Sequence, residues 1–288
     1  METATLARGC LRVPDSRAPA SRVSEVGGAE RGGDEEGGRS APDGWSSPGG
    51  GAPALGIPRR ARIIRPRGED LQAARLTPLL AELNDIDLAA VLGEAQTIVT
   101  TAAGRLFDVN RPVQRLAIVL QGLVHCLGPG DTVMDVAGPG AVLGLMSLFD
   151  PQGYACSSKV LGGSRLLMLS AAALRRGVAE RPGVRQAVIR ALGQERRTLT
   201  QALWDLKSLS PSRRLAQLIL YLACQDTVEN REAVRLPVSK AVMASCLGMR
   251  AESLSRALNR LEAHGVMREG EGIRVADRVA LRRFCDCS

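Results

Sequence analysis

Histidine is nearly absent. His125 and His264 are the two in 288 residues, and they lie far apart in the sequence. No Ser-His-Asp set, glycine-rich phosphate loop or metal-ligand spacing accompanies them. The chain therefore lacks the side-chain sets that hydrolytic, phosphoryl-transfer and metal-assisted chemistry use, and an enzyme is excluded. Lysine is just as scarce: Lys159, Lys207 and Lys240 stand against 35 arginines. With abundant alanine and glycine, that bias reflects a GC-rich genome and not a mechanism. No apolar run reaches the roughly 18 residues a membrane span needs. The N-terminus has no apolar core followed by a cleavage site, so no secretory signal is expected. The seven cysteines (Cys10, Cys126, Cys156, Cys224, Cys246, Cys285 and Cys287) are odd in number and dispersed, which fits thiols in a reducing cytoplasm.

What is present points to a polyanion. The net charge is +8 and the sequence pI about 9.6. From Leu236 to Ser288, nine basic side chains face six acidic ones, a modest surplus, so the motif there carries more weight than the charge. Leu236 to Val266 reads LPVSKAVMASCLGMRAESLSRALNRLEAHGV. A short amphipathic segment, Ser239 to Leu247, meets a turn at Gly248. The next segment has apolar residues at Leu254, Ala257, Leu258 and Leu261, the i, i+3, i+4, i+7 spacing of one buried helix face. Arg250, Glu252, Ser253, Ser255, Arg256, Asn259 and Arg260 fall on the opposite face. Gly265 closes the helix. Val266–Glu269 and Ile273–Val275 then flank Gly270-Glu271-Gly272 as a hairpin. Helix, turn, helix, hairpin is a winged helix-turn-helix whose free face can bond base edges and phosphates. The contrasting reading is a ligand-binding or scaffolding module whose winged helix does not bind DNA.

This stretch resembles the DNA-binding domain of the CRP/FNR family of bacterial transcription regulators. Glu252-Ser253-Leu254-Ser255-Arg256 fits the Glu-x-x-Ser-Arg form of its FNR-like branch; the cAMP-receptor branch has Arg where this chain has Ala251. In chemical terms, Arg256 can fork onto guanine O6 and N7, Glu252 can accept from cytosine N4, and Ser255 can bond a neighbouring base. Arg250, Ser239 and Lys240 sit where helix ends meet phosphates, and Asn259 and Arg260 complete the candidate face. The resemblance implies double-stranded DNA, a second copy of the chain and RNA polymerase as partners, with a TTGAT-N4-ATCAA operator.

Upstream, residues 1–69 hold 13 glycines and 7 prolines and no apolar period, and read as a disordered tail. Its end carries Arg59, Arg60, Arg62, Arg65 and Arg67, either a DNA-contacting arm or a solvated linker. Leu71 to Ala95 has a helical pattern. Short strands are expected at Thr97–Ala102, Arg105–Val109, Gln114–Leu120, Leu123–Leu127, Thr132–Ala137, Lys159–Leu161 and Ser164–Leu169. Glycine turns separate them, as in a small barrel or jelly roll. The resemblance makes this a cyclic-nucleotide-binding-like β-roll. Ala171 to Leu209 is a helix pair broken near Pro182, and Ile189, Leu192, Leu199, Leu203 and Leu206 mark a coiled-coil seam for dimerisation. Ser210-Pro211 starts the next unit. The expected fold is α+β: a tail (1–69), an antiparallel β-roll sensor (70–170), connecting and dimerisation helices (171–209) and a winged helix-turn-helix (210–288).

The effector stays open. In the cAMP-binding version of the roll, a Glu after Gly holds the ribose and an Arg pairs the cyclic phosphate. This chain has Gly144-Leu145 and Ala155-Cys156 in those places, so cAMP is not expected. Iron–sulphur binding lacks four cysteines at workable spacing. Haem ligation by His125 or Cys126, a thiol switch at Cys126, Cys156 or an exposed Cys285–Cys287 tail, an apolar effector against Leu143, Leu145, Met146, Leu148 and Phe149, and no effector all remain as readings.

Overall fold

The computed structural model describes residues 11–12, 61–225, 233–234, 239–269 and 272–286. Strands β1 (Leu11–Arg12) and β2 (Ala61–Ile64) precede two short helices, α1 (Gly68–Arg75) and α2 (Asp85–Leu92). Eight strands follow: β3 (Gln96–Thr100), β4 (Gly104–Phe107), β5 (Arg115–Gln121), β6 (Val124–Leu127), β7 (Val133–Ala137), β8 (Val142–Leu143), β9 (Ser157–Val160) and β10 (Arg165–Ser170). With β1 and β2 they form two five-stranded sheets, ordered β1-β7-β6-β9-β4 and β2-β3-β10-β5-β8. The runs expected from alternation are thus strands of a roll. Its interior is filled by Leu106, Leu116, Ile118, Val124, Leu143, Val160, Leu166 and Leu169.

The tail expected to run to residue 69 ends earlier. Ala61–Ile64 pairs antiparallel with β3, Ile63 opposite Ile98, and Ala61 packs against the roll core. The surrounding arginines hide this short edge strand in the sequence. Leu11–Arg12, also inside the expected tail, pairs parallel with β7; residues 1–10 and 13–60, with Cys10, Arg59 and Arg60, lie outside the described residues. The single helical stretch expected over 71–95 is two helices. The first stops where Thr77 Oγ1 donates to Ala74 O at 2.7 Å. The second starts at Asn84, whose side chain accepts from Asp87 N at 2.8 Å, a side-chain N-cap.

Ser170 caps α3 (Ala171–Glu180), and α4 (Pro182–Ser208) follows the break at Arg181. At 1.5 Å per residue, its 27 residues span ~40 Å. Its first half buries Val184, Ala187, Val188 and Ala191 on the roll. Further along, Leu199, Leu203, Trp204 and Leu206 are exposed, as is Ile189 near the start. Leu192 differs from the rest of the expected seam, because it packs partly against the roll core.

The C-terminal unit comprises α5 (Pro211–Gln225), β11 (Ala233–Val234), α6 (Lys240–Cys246), α7 (Ala251–Glu262), β12 (Val266–Glu269), β13 (Gly272–Val275) and α8 (Arg278–Asp286). The expected hairpin is present, with β11 added on its outer side. Helix α8 overturns the expectation of an exposed cysteine tail. Asp277 Oδ1 accepts from Val279 N and Ala280 N at 2.9 and 2.8 Å and starts the helix. Leu281 and Cys285 are buried against the domain core. Burial pushes the Cys285 thiol up to about 11, with Asp286 adding to the shift, the opposite of a reactive thiolate. Cys287 lies outside the described residues.

One polar contact ties α1 to the roll. Asp70, 2% exposed, accepts from Arg165 Nε at 2.5 Å and Nη2 at 2.8 Å. It also accepts from Thr97 Oγ1 at 3.0 Å and Arg67 N at 2.8 Å. The Arg165 guanidinium holds the carboxyl below the usual carboxylate range, against the opposing effect of burial. Asp70→Ala leaves Arg165 only the exposed Glu69, 3.7 Å away, and is expected to cost about 3 kcal/mol, read as a lower urea midpoint. Since the folded-state value is depressed, the pair contributes fully above the unfolded carboxylate value of about 3.9 and loses that contribution as pH falls through the folded one. The gap between wild type and variant should therefore close in acid.

Candidate nucleic-acid interface

The helix-turn-helix is built by local rules. Ser239 caps α6, its side chain accepting from Val242 N at 3.4 Å. The helix ends at Leu247, and Gly248 takes φ +60°. A side chain there would be strained in the left-handed region. Its Cβ would also stand 2.6 Å from Leu206 Cδ2 of α4. The turn is closed by Met249 N donating to Ala244 O at 2.9 Å. Arg250 then occupies the N-cap of α7 in extended conformation, with no side-chain cap bond. The first-turn N–H groups of α7 are thus left without a side-chain acceptor from the cap.

Leu254, Ala257, Leu258 and Leu261 of α7 are buried together with Leu215 and Ile219 of α5, Met243 and Leu247 of α6, and Val266, Ile273 and Val275 of the hairpin. The structure brings the expected face together: Glu252, Ser255, Arg256, Asn259 and Arg260 are exposed along one side of α7, with Arg250, Ser239 and Lys240 exposed at the helix starts. Ser253 is half-buried. Ser255 Oγ donates to Ala251 O at 3.1 Å, which spends its proton on the helix and leaves acceptor lone pairs outward. Arg256 Nη2 donates to Ser253 Oγ at 3.0 Å. Sequence reasoning missed Arg268 on β12, which reaches back onto α7, donating to Asn259 Oδ1. That contact crosses from strand to helix and has no periodic signal.

The winged unit is not separate from the roll. Val136 of β7, fully buried, belongs to its apolar core, and Leu123 and Val133 pack at the edge. Ser245 Oγ of α6 donates to Val133 O at 2.5 Å. His125 pairs with Val136 and Lys159 across the same sheet. Burial, then the charge of Lys159, lowers its pKa. Adjacent strand residues point to opposite faces, and Cys126 belongs to the roll core. His125 and Cys126 therefore lie on opposite faces of β6.

Inside the roll, Tyr154 is buried and stacked on Phe107, ring centroids 4.4 Å apart. Its hydroxyl donates to Arg115 O at 2.7 Å and accepts from Arg115 N at 3.2 Å. Burial raises its pKa. Gly144 has φ +85°, and a Cβ there would stand 3.2 Å from the Tyr154 ring. Leu145 and Leu148 are buried, Met146 and Phe149 are exposed, and Ala155 faces solvent.

Residues 101–181 match the model of the cyclic nucleotide-binding domain, and residues 213–284 that of the Crp-like helix-turn-helix domain. The chain belongs to the CRP/FNR family. It is 25% identical over 203 residues to the CRP-like cAMP-activated global transcriptional regulator of Mycobacterium tuberculosis, covering 68% of this chain and 91% of that one. Its fold is similar to that of FixK2 from Bradyrhizobium japonicum, with a TM-score of 0.58 and 18% identity over 67% of this chain and 98% of that one. It is also similar to the c-di-GMP responsive regulator CLP of Xanthomonas campestris, with a TM-score of 0.54 and 19% identity over 67% and 99%. The CRP/FNR proteins are DNA-binding transcription regulators and not enzymes, and this chain is one of them, with a cyclic-nucleotide-binding fold as its N-terminal unit. Among the described residues, no helix is long and apolar enough to cross a membrane.

Proposed function

We propose that the chain acts as a homodimer on a palindromic operator, reading each half-site with α7. The observation that carries this is the exposed row Glu252, Ser255, Arg256 and Asn259 above a fully buried apolar face. Recognition helices enter the major groove by their N-terminal residues, which places Glu252 and Arg256 at base edges. Arg256 reaches a guanine by exchanging its single hydrogen bond to the Ser253 hydroxyl for a bidentate contact. Arg250, Ser239, Lys240 and Arg260 face phosphates. The apolar stripe Ile189, Leu199, Leu203, Trp204 and Leu206 supports α4 as the dimer helix, with Leu192 at its edge. Two-fold pairing along α4 would set the recognition helices about one DNA turn apart. By family resemblance the working units are the roll to residue 170, the helices of 171–209 and the winged domain from 210. RNA polymerase and a cytoplasmic location follow from the same reading.

The Mycobacterium tuberculosis relative is cAMP-activated and CLP is c-di-GMP responsive, but the roll of this chain does not fit cAMP. Leu145 and Ala155 supply neither acid nor base. Tyr154, clamped between Phe107, Gly144 and the β5 backbone, fills space beside them. A cyclic phosphate there would be desolvated with no base at position 155 to pair it, at a cost of several kcal/mol. These features favour an apolar effector, or none, over a cyclic nucleotide.

Selection from a pool of randomised duplexes tests the reading directly. The expected consensus is TTGAT-N4-ATCAA, and failure to enrich any duplex would favour the scaffolding alternative. Arg256→Ala should lose roughly 1–3 kcal/mol on the selected duplex and relax one base pair per half-site; unchanged affinity and consensus would refute the assignment. Leu203→Ala should weaken the dimer by about 2–5 kcal/mol if that side chain is buried between copies, seen by sedimentation alongside reduced operator binding. A monomeric wild type with full affinity would count against the dimer. Calorimetry with millimolar cAMP should show no saturable heat and no gain in operator affinity; micromolar binding would overturn the account of the roll.

A further inference from the structure

Arg268 follows the recognition helix in sequence and lies back across it in space. One guanidinium nitrogen donates to Asn259 Oδ1 and stands 3.5 Å from Ser255 O. Nε lies 3.6 Å from Glu262 Oε1. The Arg268 and Glu262 side chains stay 42% and 54% exposed, so packing alone does not hold Arg268 in this place. Three groups on the outward side of α7 converge on a single wing arginine.

The contact has a chemical consequence for Asn259. A guanidinium carries five donors and no acceptor. It therefore selects one orientation of the Asn259 amide, oxygen toward Arg268 and the NH₂ group turned away. An asparagine that reads adenine needs both ends free, because its oxygen accepts from N6 while its nitrogen donates to N7. Oδ1 keeps a second lone pair, but with the oxygen turned to Arg268 the amide does not set both ends on one adenine edge, and the end it presents is the NH₂ donor. It also stands one turn beyond Ser255 and Arg256, toward the C-terminal end of α7, away from the residues that lead into the groove. A donor at that place matches a phosphate oxygen. Arg268 further offsets the charge of Glu262, which would otherwise face a polyanion.

We propose that Arg268 is a positioning residue of the DNA interface, fixing Asn259 as a donor to the phosphate backbone and withholding it from adenine. This rests on α7 being the recognition helix, and Arg256→Ala serves as the separate control for that reading.

The experiment uses the full chain, a pool of randomised duplexes, and the variants Arg268→Ala, Arg268→Lys, Asn259→Ala and the Arg268→Ala/Asn259→Ala pair. Asn259→Ala should keep the wild-type consensus and weaken all enriched duplexes alike. Its log–log salt slope should match wild type, because a neutral amide releases no counterion when it meets a phosphate. Arg268→Ala should release the amide and introduce an adenine preference at one position per half-site. That preference should vanish in the double variant, and Arg268→Lys, whose ammonium also donates to Oδ1, should restore the wild-type consensus. In the free protein, the Asn259 side-chain amide resonances should shift in Arg268→Ala and stay near wild type in Arg268→Lys, a readout that needs no DNA. Loss of a single base preference in Asn259→Ala would overturn the proposal. So would an Arg268→Ala variant whose consensus and Asn259 resonances match wild type. If Arg268→Ala does not fold, Arg268→Lys and Asn259→Ala still decide it through consensus and amide resonances. If Arg256→Ala leaves affinity and consensus unchanged, the recognition-helix reading fails, while the amide resonances still report on the pairing.

Discussion

A helix of 27 residues has more apolar surface than one roll can cover, and the structure is organised around that excess. The first half of α4 buries Val184, Ala187, Val188 and Ala191 against the sensor unit. Beyond it, Leu199, Leu203, Trp204 and Leu206 emerge into solvent. Near the far end, Leu206 meets the Gly248 turn of the helix-turn-helix. The same rod is thus wall of the roll, candidate dimer surface and backstop for the reading head. Burial of apolar side chains sets its place at each station.

The winged domain was legible where local periodicity decides structure. Leu254, Ala257, Leu258 and Leu261 predict the buried face of α7, and all four are buried. Glycine turns between alternating runs marked seven strands, β3 to β7, β9 and β10, to within one or two residues, while β1, β2 and the two-residue β8 went unmarked; Pro182 marked the break between α3 and α4. These are rules of nearest neighbours on one helix or strand, and a sequence displays them directly.

What was not legible depends on residues far apart in the chain. Asp70 meets Arg165 across 95 positions, and without that partner the strand Ala61–Ile64 and the first two residues of α1 look like the end of a tail. Cys285 is ordinary until α8 packs on α5 and the thiol is buried. A signal was available there, since Asp277 is a good cap and Leu281, Phe284 and Cys285 keep helical spacing. Leu192 sits in the heptad pattern yet packs partly against the roll core, a contact that spacing along one helix does not display. Arg268 carries no pattern at all; a strand side chain bonding a helix is a product of tertiary geometry.

Val136 completes the apolar interior of the reading head from a strand of the other unit. The boundary seen along the chain is therefore not a boundary in the packing. A winged domain cut from this protein and grafted onto a foreign roll would arrive with an empty socket. Any roll that accepted it would need a β-branched plug at the matching strand position and a carbonyl to take the Ser245 hydroxyl. Exchange of parts between relatives is limited to pairs that keep this plug and socket in step, so the two units are bound to change together even where their surfaces never touch DNA or effector.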